Sequence, residues 1–318
     1  MKKIVLFSRL FPEGRRLLEG NVKLLEHYCD NLEDIPDDLR QADGILVGNQ
    51  KISAQTLEQF PNLRLIAKQG SGYDNIDVEA ADKRRIPVII SAGVNARAVA
   101  EHVMMLMLAA SRKLIQYDSA VRCGNFAIRS TCQEQELYGK KLGLIGCGNI
   151  GFQVGIYAKA FGMEVTAFDP YMDCAETEKQ GIAWEAHLES LLCVSDIISI
   201  HVPLTRQTKG MVGREQLTQM KKHAVLVNCS RGGIVDEEAL YEVLQNGHLA
   251  AAGIDVFARE PAEKGHPLFT LPNVVLTPHA AALTRESSSQ MSRMTAEGIL
   301  AVLQGRPWKC LANPGLAG

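Results

Sequence analysis

The run Leu142-Gly143-Leu144-Ile145-Gly146-Cys147-Gly148-Asn149-Ile150-Gly151 constrains this chain more than any other segment: an apolar strand opens into glycine-x-glycine-x-x-glycine and then into a helix. Gly146 permits a tight turn, Gly148 lets a pyrophosphate approach bare backbone, and Gly151 lets the following helix pack closely on the strand. The helix start then turns its amides toward the phosphates. Eighteen positions beyond Gly151, Asp169 closes the strand Glu164-Val165-Thr166-Ala167-Phe168, where a carboxylate accepts hydrogen bonds from an adenosine ribose diol. No Arg or Lys follows Asp169 closely, which favours NAD over NADP. Taken singly, such glycines also make ordinary turns, and Asp169 could cap a turn before Pro170. Strand, glycines, helix, second strand and terminal acid in that order point to a dinucleotide pocket.

A chain of 318 residues is expected to form two domains. Strand candidates in the first hundred residues are Ile4 to Phe7, Gly44 to Val47, Leu63 to Ala67 and Val88 to Ile90. Ala96 to Leu114 reads as one long apolar helix whose methionines serve packing. The second α/β unit carries six candidates: Leu142 to Ile145, Val165 to Phe168, Ile197 to Ile200, Val225 to Val227, Ala251 to Ile254 and Val274 to Leu276. The helix Arg285 to Gln304 has no sheet of its own to join and is expected to cross back to the first unit. The expected fold class is α/β, with two doubly wound parallel sheets. One is a discontinuous, flavodoxin-like substrate domain (1–98 and 287–318) and the other a Rossmann NAD-binding domain (99–286), with the active site in the cleft between them.

With 34 basic and 36 acidic residues, and no basic run interleaved with aromatics, the chain offers no face for nucleic acid. The start, Met1-Lys2-Lys3-Ile4-Val5-Leu6-Phe7, is too short in its apolar part for a signal peptide, and no stretch reaches the ~18 apolar residues of a membrane helix. A cytoplasmic enzyme with a small-molecule partner is expected. The eight cysteines, 29, 123, 132, 147, 174, 193, 229 and 310, form no Cys-x-x-Cys pair and are expected to stay reduced, with no metal site. Cys147 and Cys229 lie near enough to the cofactor loops to be oxidation-sensitive instead.

In open α/β sheets ligands bind beyond the carboxyl ends of strands. Arg231 follows Val225-Leu226-Val227-Asn228-Cys229-Ser230, Asp255 and Glu260 follow Gly253-Ile254, and His279 follows Val275-Leu276-Thr277-Pro278. Hydride exchange between a nicotinamide and a 2-oxo acid needs a cation for the carboxylate and carbonyl, plus an acid for the developing alkoxide. Arginine's planar fork suits the first need and histidine the second. A carboxylate such as Glu260, bonded to the imidazole, favours the imidazolium and fixes its orientation. Asp255 is placed to orient the nicotinamide amide. Gly70 and Gly72 free the backbone around Ser71 and Tyr73 to form an anion-binding nest. His102, within a helix, reads as a packing residue, and His201 as lining the adenosine side.

The stretches Gly70-Ser71-Gly72-Tyr73-Asp74-Asn75-Ile76-Asp77, Ala100-Glu101-His102, the glycine loop, His201-Val202-Pro203-Leu204-Thr205, Asn228 to Asp236, Gly253 to Pro261 and Thr277-Pro278-His279 resemble the D-isomer-specific 2-hydroxyacid dehydrogenase family across nearly the whole chain. The resemblance implies that the family's catalytic arginine, glutamate and histidine fall on Arg231, Glu260 and His279. It also implies that Gly146, Gly148, Asn149, Ile150, Gly151, Asp169, His201, Pro203, Thr205, Cys229, Ser230 and Asp255 line the NAD site. Lys68, Ser71, Gly72 and Tyr73 then take the substrate, and the chain forms a homodimer through its cofactor domain.

Lys68 stands where members similar to phosphoglycerate dehydrogenases carry an arginine for the substrate phosphate. Gly48 stands where those carry a second one, and Asn149 where many relatives place an arginine beside the pyrophosphate. Members acting on formate have glutamine at the position of Glu260. The expected activity is NAD-dependent oxidation or reduction at C2 of a D-2-hydroxy or 2-oxo acid, with 3-phosphoglycerate first and glyoxylate or hydroxypyruvate as the alternative. A corepressor-like NADH-sensing scaffold is the non-enzymatic alternative.

Overall fold

The computed structural model describes residues 1–29, 32, 34–131, 133–172 and 174–316. The chain divides into two compact units, Met1–Asn95 with Leu283–Gly318, and Ala96–Ala282. These seams differ by a few residues from the expected ones after 98 and before 287. The physical reasons are local: a helix begins at Ala96, and the Thr284 hydroxyl accepts from the Ser287 amide at 3.0 Å, so the lead-in belongs with the last helix it caps.

The first unit contains β1 (Lys3–Leu6), α1 (Pro12–Leu18), β2 (Lys23–Glu26), β3 (Gly44–Val47), α2 (Ala54–Glu58), β4 (Leu65–Lys68), α3 (Val78–Lys83), β5 (Val88–Ile89) and, from the chain's end, α11 (Arg285–Leu303). Its strands are all parallel in the order β2-β1-β3-β4-β5, the flavodoxin-like arrangement. Alternation along β1 sends Ile4 and Leu6 to one face, with Leu46, Leu65, Ala67 and the α11 residues Ala296 and Ile299. Val5 goes to the other face, with Phe7, Ile45, Ile66, Leu57 and Ala81. Both faces are therefore covered, as a parallel sheet requires. The sequence reading lacked β2: with Lys23 and Glu26 exposed at either end, this edge strand has only two apolar residues to announce it.

The second unit runs α4 (Ala96–Ser111), α5 (Leu114–Arg122), β6 (Lys141–Ile145), α6 (Asn149–Ala160), β7 (Glu164–Phe168), α7 (Cys174–Lys179), β8 (Ala183–Trp184), α8 (Leu188–Val194), β9 (Ile197–Ile200), α9 (Arg214–Gln219), β10 (Val225–Asn228), α10 (Glu237–Gln245), β11 (Ala251–Ile254) and β12 (Val274–Leu276). The strand order is β12-β11-β10-β9-β6-β7-β8, parallel throughout, with the chain reversing direction across the sheet between β6 and β9. β8, a two-residue edge strand, makes a seventh strand where six are expected. The single helix expected over Ala96 to Leu114 ends at Ser111, because Lys113 adopts a left-handed φ of 51° before α5 begins. α4 packs along α6 and across β10 to β12.

Among the described residues no helix is long and apolar enough to cross a membrane, and no cluster of His, Cys, Asp and Glu could hold a metal ion. Cys123, Cys147, Cys193, Cys229 and Cys310 are free thiols. The expectations for Cys132 and for the Cys174 side chain lie outside what the structure describes.

Candidate active site

The glycine loop joins β6 to α6 and has the shape a dinucleotide needs. Gly146 sits at φ +92°, and a Cβ there would come within 2.8 Å of the His201 carbonyl oxygen. A Cβ on Gly151 would fall 2.2 Å from the Gly146 carbonyl oxygen, so the helix could not approach the turn. Over Gly148, by contrast, a Cβ would meet nothing within 4 Å, which leaves open space where a pyrophosphate would lie. Gly148 is also the N-cap of the 12-residue α6 and brings no side chain to its first amides; Asn149 and Ile150 follow as the helix's first residues. Asp169, just past β7, accepts from the Cys147 amide at 3.0 Å and the Tyr171 amide at 3.0 Å, which fixes its carboxylate beside the loop. These residues fit NAD: amides and a helix terminus for the phosphates, and a carboxylate for the ribose.

The residues expected to handle the proton lie at the carboxyl edge of the same sheet. His279 Nδ1 is 2.6 Å from Glu260 Oε2, and Oε1 of Glu260 accepts from the Phe257 amide at 3.1 Å. Both side chains remain about 30% exposed, open enough for a ligand to reach them. Burial pushes the Glu260 carboxyl up. The bond and charge of His279, the Phe257 amide and the charge of Arg231 together outweigh it and hold Glu260 below the usual carboxylate range. Arg231 follows β10 directly, and its guanidinium donates to the Ser230 carbonyl at 2.7 Å. Asn228, 3% exposed, clamps that turn. Its Oδ1 accepts from the Ser230 amide and hydroxyl at 3.0 and 2.9 Å, while its Nδ2 donates to the Arg231 carbonyl at 3.0 Å.

The first unit presents a different set at the carboxyl edge of its own sheet. Lys68 ends β4 and is 5% exposed; its Nζ donates to the Gly48 carbonyl at 2.5 Å and lies 3.4 Å from Asn49 Oδ1. In the loop that follows, Gly70 takes φ +142°, and the Ser71 hydroxyl points to the Ser91 carbonyl at 3.1 Å and Asn95 Oδ1 at 2.9 Å. Gly72 is half-buried and Tyr73 exposed. The Asn75 amide donates to the Gly48 and Gln50 carbonyls at 3.1 and 2.6 Å, tying this loop to the one after β3.

Residues 104–281 match the family model described as D-isomer specific 2-hydroxyacid dehydrogenase, NAD binding domain. The chain belongs to this family. A D-3-phosphoglycerate dehydrogenase of Methanocaldococcus jannaschii is 40% identical over 308 residues, covering 96% of this chain but 58% of that protein. The chain thus spans little more than half the length of that relative, and 53% of its counterpart from Archaeoglobus fulgidus. A glyoxylate reductase of Aeropyrum pernix is 40% identical over 321 residues, covering 98% of this chain and 96% of that protein. The crystal structure of a D-lactate dehydrogenase from Aquifex aeolicus, complexed with NAD and lactic acid, superposes with a TM-score of 0.87 at 29% identity, covering 96% of each chain.

The remaining expected cofactor residues, and Cys147 in the glycine loop, take on more definite surroundings. His201 packs behind the glycine loop, with Nε2 2.9 Å from the Ser199 hydroxyl, and burial pushes its imidazole down to about 3, so it stays neutral. Burial, with the charge of Asp169 added, pushes the Cys147 thiol up to about 11; burial and Asp255 raise Cys229 well above its ordinary value. Both remain thiols at neutral pH, which opposes the oxidation-sensitive alternative. Asp255 has no exposed surface. Pro203 and Thr205 are exposed on the loop after β9, where the Thr208 hydroxyl donates to the Pro203 carbonyl at 2.5 Å and the Thr205 amide donates to the Thr208 hydroxyl at 2.8 Å. Asn228 was not among the expected site residues. Its signal is a lone amide side chain ending an apolar strand immediately before Arg231.

Proposed function

We propose that the chain is an NAD-dependent D-2-hydroxyacid dehydrogenase, and the observation that carries this reading is the 2.6 Å contact between His279 Nδ1 and Glu260 Oε2 with Arg231 contributing charge to the same carboxylate. When bound, NAD exchanges a hydride with C2 of the substrate. Arg231 holds the substrate carboxylate and polarises the C2 oxygen. Since Nδ1 of His279 is engaged by Glu260, Nε2 gives a proton to the developing alkoxide in reduction and takes it back in oxidation. Reduction therefore needs the imidazolium and oxidation the neutral ring, so oxidation is expected to peak at higher pH.

Asp169, followed in sequence by no close Arg or Lys, favours NAD over NADP, because a 2′-phosphate would meet a carboxylate. For substrate, 3-phosphoglycerate is the first reading, supported by Lys68 at the end of β4 and by the relatives so named. An unphosphorylated acid such as glyoxylate or hydroxypyruvate is the second, favoured by the burial of Lys68 and its bond to Gly48. The protein is read as a cytoplasmic homodimer. An apolar trough of about 700 Å³ on the second unit, lined by Met104, Met105, Leu108 and Phe161 with Glu101 on α4 and Arg112 just past its end, suits a second copy. Light scattering is expected to return twice the 34.8 kDa chain mass.

The test is nicotinamide absorbance across 3-phosphoglycerate, 3-phosphohydroxypyruvate, glyoxylate, hydroxypyruvate, pyruvate and longer 2-oxo acids, with NAD(H) and NADP(H) in parallel. Preference for the phosphorylated pair with NAD(H) is expected. Turnover of unphosphorylated acids alone selects the second reading. NADH binding without turnover on any acid overturns the enzymatic one in favour of a cofactor-sensing scaffold.

A further inference from the structure

The carboxylate of Asp255, at the end of β11, is bonded into its own chain. Oδ1 accepts from the Thr277 hydroxyl at 2.5 Å and the Ala280 amide at 2.9 Å, and Oδ2 accepts from the Ala281 amide at 3.0 Å. The main-chain oxygen of the same residue takes the His279 amide at 2.7 Å. Amides 279 to 281 thus close around one aspartate. His279, at φ 52°, supplies the left-handed step that lets successive amides converge. Elsewhere such a nest receives a ligand anion; here it receives Asp255.

A third group reaches this knot from α4. His102 Nε2 lies 2.9 Å from the Thr277 hydroxyl oxygen and 3.5 Å from Asp255 Oδ1. Thr277 has a single hydroxyl proton, and an ionised carboxylate can only accept. Burial pushes the Asp255 carboxyl up, but bonds from His102, Thr277 and the two amides outweigh it, so Asp255 is ionised and the threonine proton points to it. The Thr277 oxygen must then accept from the ring, which places a proton on His102 Nε2 whatever the ring's charge. The direction of the whole relay follows: His102 to Thr277 to Asp255.

We propose that His102 is a positioning residue for His279: from α4 it donates through Thr277 to Asp255 and locks the 277–281 turn in the conformation that presents the proton-exchanging imidazole. The proposal rests on the role of His279 given above. It changes the reading of His102 from packing to orientation, and it makes Asp255 first of all the keystone of the turn. Neither effect requires His102 to touch substrate or cofactor.

Three variants test it: His102→Phe, which keeps a ring but removes the donor; Thr277→Val, which cuts the relay at its middle; and His102→Gln, whose side-chain amide reaches near the Nε2 position. Amide hydrogen exchange in a peptide spanning 277–283 is expected to rise about tenfold in the first two and to return toward the wild-type rate in the third. On the preferred 2-oxo acid, kcat is expected to fall by about tenfold to 10²-fold in the first two, with KM for NADH little changed, because the loss is one of aim. His102→Gln should recover most of it.

Wild-type exchange in 277–283 for both His102→Phe and Thr277→Val overturns the proposal. So does a His102→Gln protein no better than His102→Phe, which would reduce His102 to packing. Failure of the dehydrogenase reading looks different: no acid is turned over by the unaltered protein, while the exchange pattern still reports the relay.

Discussion

The two parallel sheets are built alike at their amino ends and differ at their carboxyl ends. In the first unit Asp43, just before β3, accepts from the Lys3 amide at 2.9 Å and Lys2 Nζ at 2.7 Å, gripping the start of neighbouring β1. In the second, Asp196, just before β9, accepts from the Lys141 amide at 2.8 Å and Lys221 Nζ at 2.9 Å, gripping the start of neighbouring β6. The same staple joins the same kind of adjacent strands. At the other edge the resemblance ends. The first sheet leads into Lys68, Gly70 and Ser71, a cation and a glycine-rich turn suited to attracting an anion. The second leads into Arg231, Glu260 and His279, with Asn228 and Asp255 setting their turns. One scaffold thus serves two purposes, and the chemistry is decided by which side chains follow the last strand residue.

The sharpest way to break this division is to alter each carboxyl edge in turn. Arg231→Ala and His279→Ala are each expected to lower kcat/KM by about 10³-fold or more, since they remove charge and proton transfer in the transition state. Lys68→Met is expected to act mainly on KM for the acid and leave kcat within about threefold, as loss of binding shared by ground and transition states does. Steady-state kinetics with the preferred acid decides. An Arg231→Ala enzyme near the wild-type rate, or a Lys68→Met enzyme with kcat abolished, would reverse the assignment of roles.

A smaller effect separates orientation from chemistry within the second edge. Glu260→Gln keeps size and an acceptor but removes the charge next to His279; kcat is expected to drop by about 10²-fold. The loss of rate that protonation of Glu260 imposes on the unaltered protein at acid pH should then be absent from the variant. In the unaltered enzyme Glu260, held below the usual carboxylate range, stays ionised through the neutral region, and its contribution fades only as acid protonates it. A pH–rate series on both proteins checks this. Superimposable profiles would mean that Glu260 serves only to shape its loop.

What was legible in the sequence follows from how local each feature is. The glycine loop, Asp169, Arg231, Glu260 and His279 all sit within a few residues of an apolar strand end, so adjacency singled them out as candidates. β2 and β8 escaped because short edge strands bury little and carry charge or turn residues. The break at Lys113 is a single backbone dihedral with no glycine to mark it. The relay from His102 to Thr277 was out of reach for another reason. The two lie on α4 and just past β12, and only the sheet's order, which packs that helix over β10 to β12, brings them to 2.9 Å. Motif reading finds groups that chain proximity puts together; groups assembled by topology need the fold.

The smallest expected effect tests the other half of the comparison, that the amino-end staples are equivalent. Burial raises both aspartates, but the lysine and amide bonds outweigh it and hold Asp43 and Asp196 below their ordinary value. A carboxyl depressed in the folded state contributes its full stabilisation above the unfolded value of about 3.9, and that contribution is lost as pH falls through the lower folded value. Each lysine partner is at least 38% exposed, so solvent screening limits the gain. Asp43→Asn and Asp196→Asn are each expected to cost about 1 kcal/mol at pH 7, read as a lowered urea midpoint, with most of the difference from wild type gone near pH 3. Because each staple joins strands within one unit, the first variant should lower the transition of that unit and the second that of the other. Two well-separated transitions, each moved by its own variant, would show the sheets to be independently stable. One shared transition moved equally by both would mean that neither sheet unfolds alone.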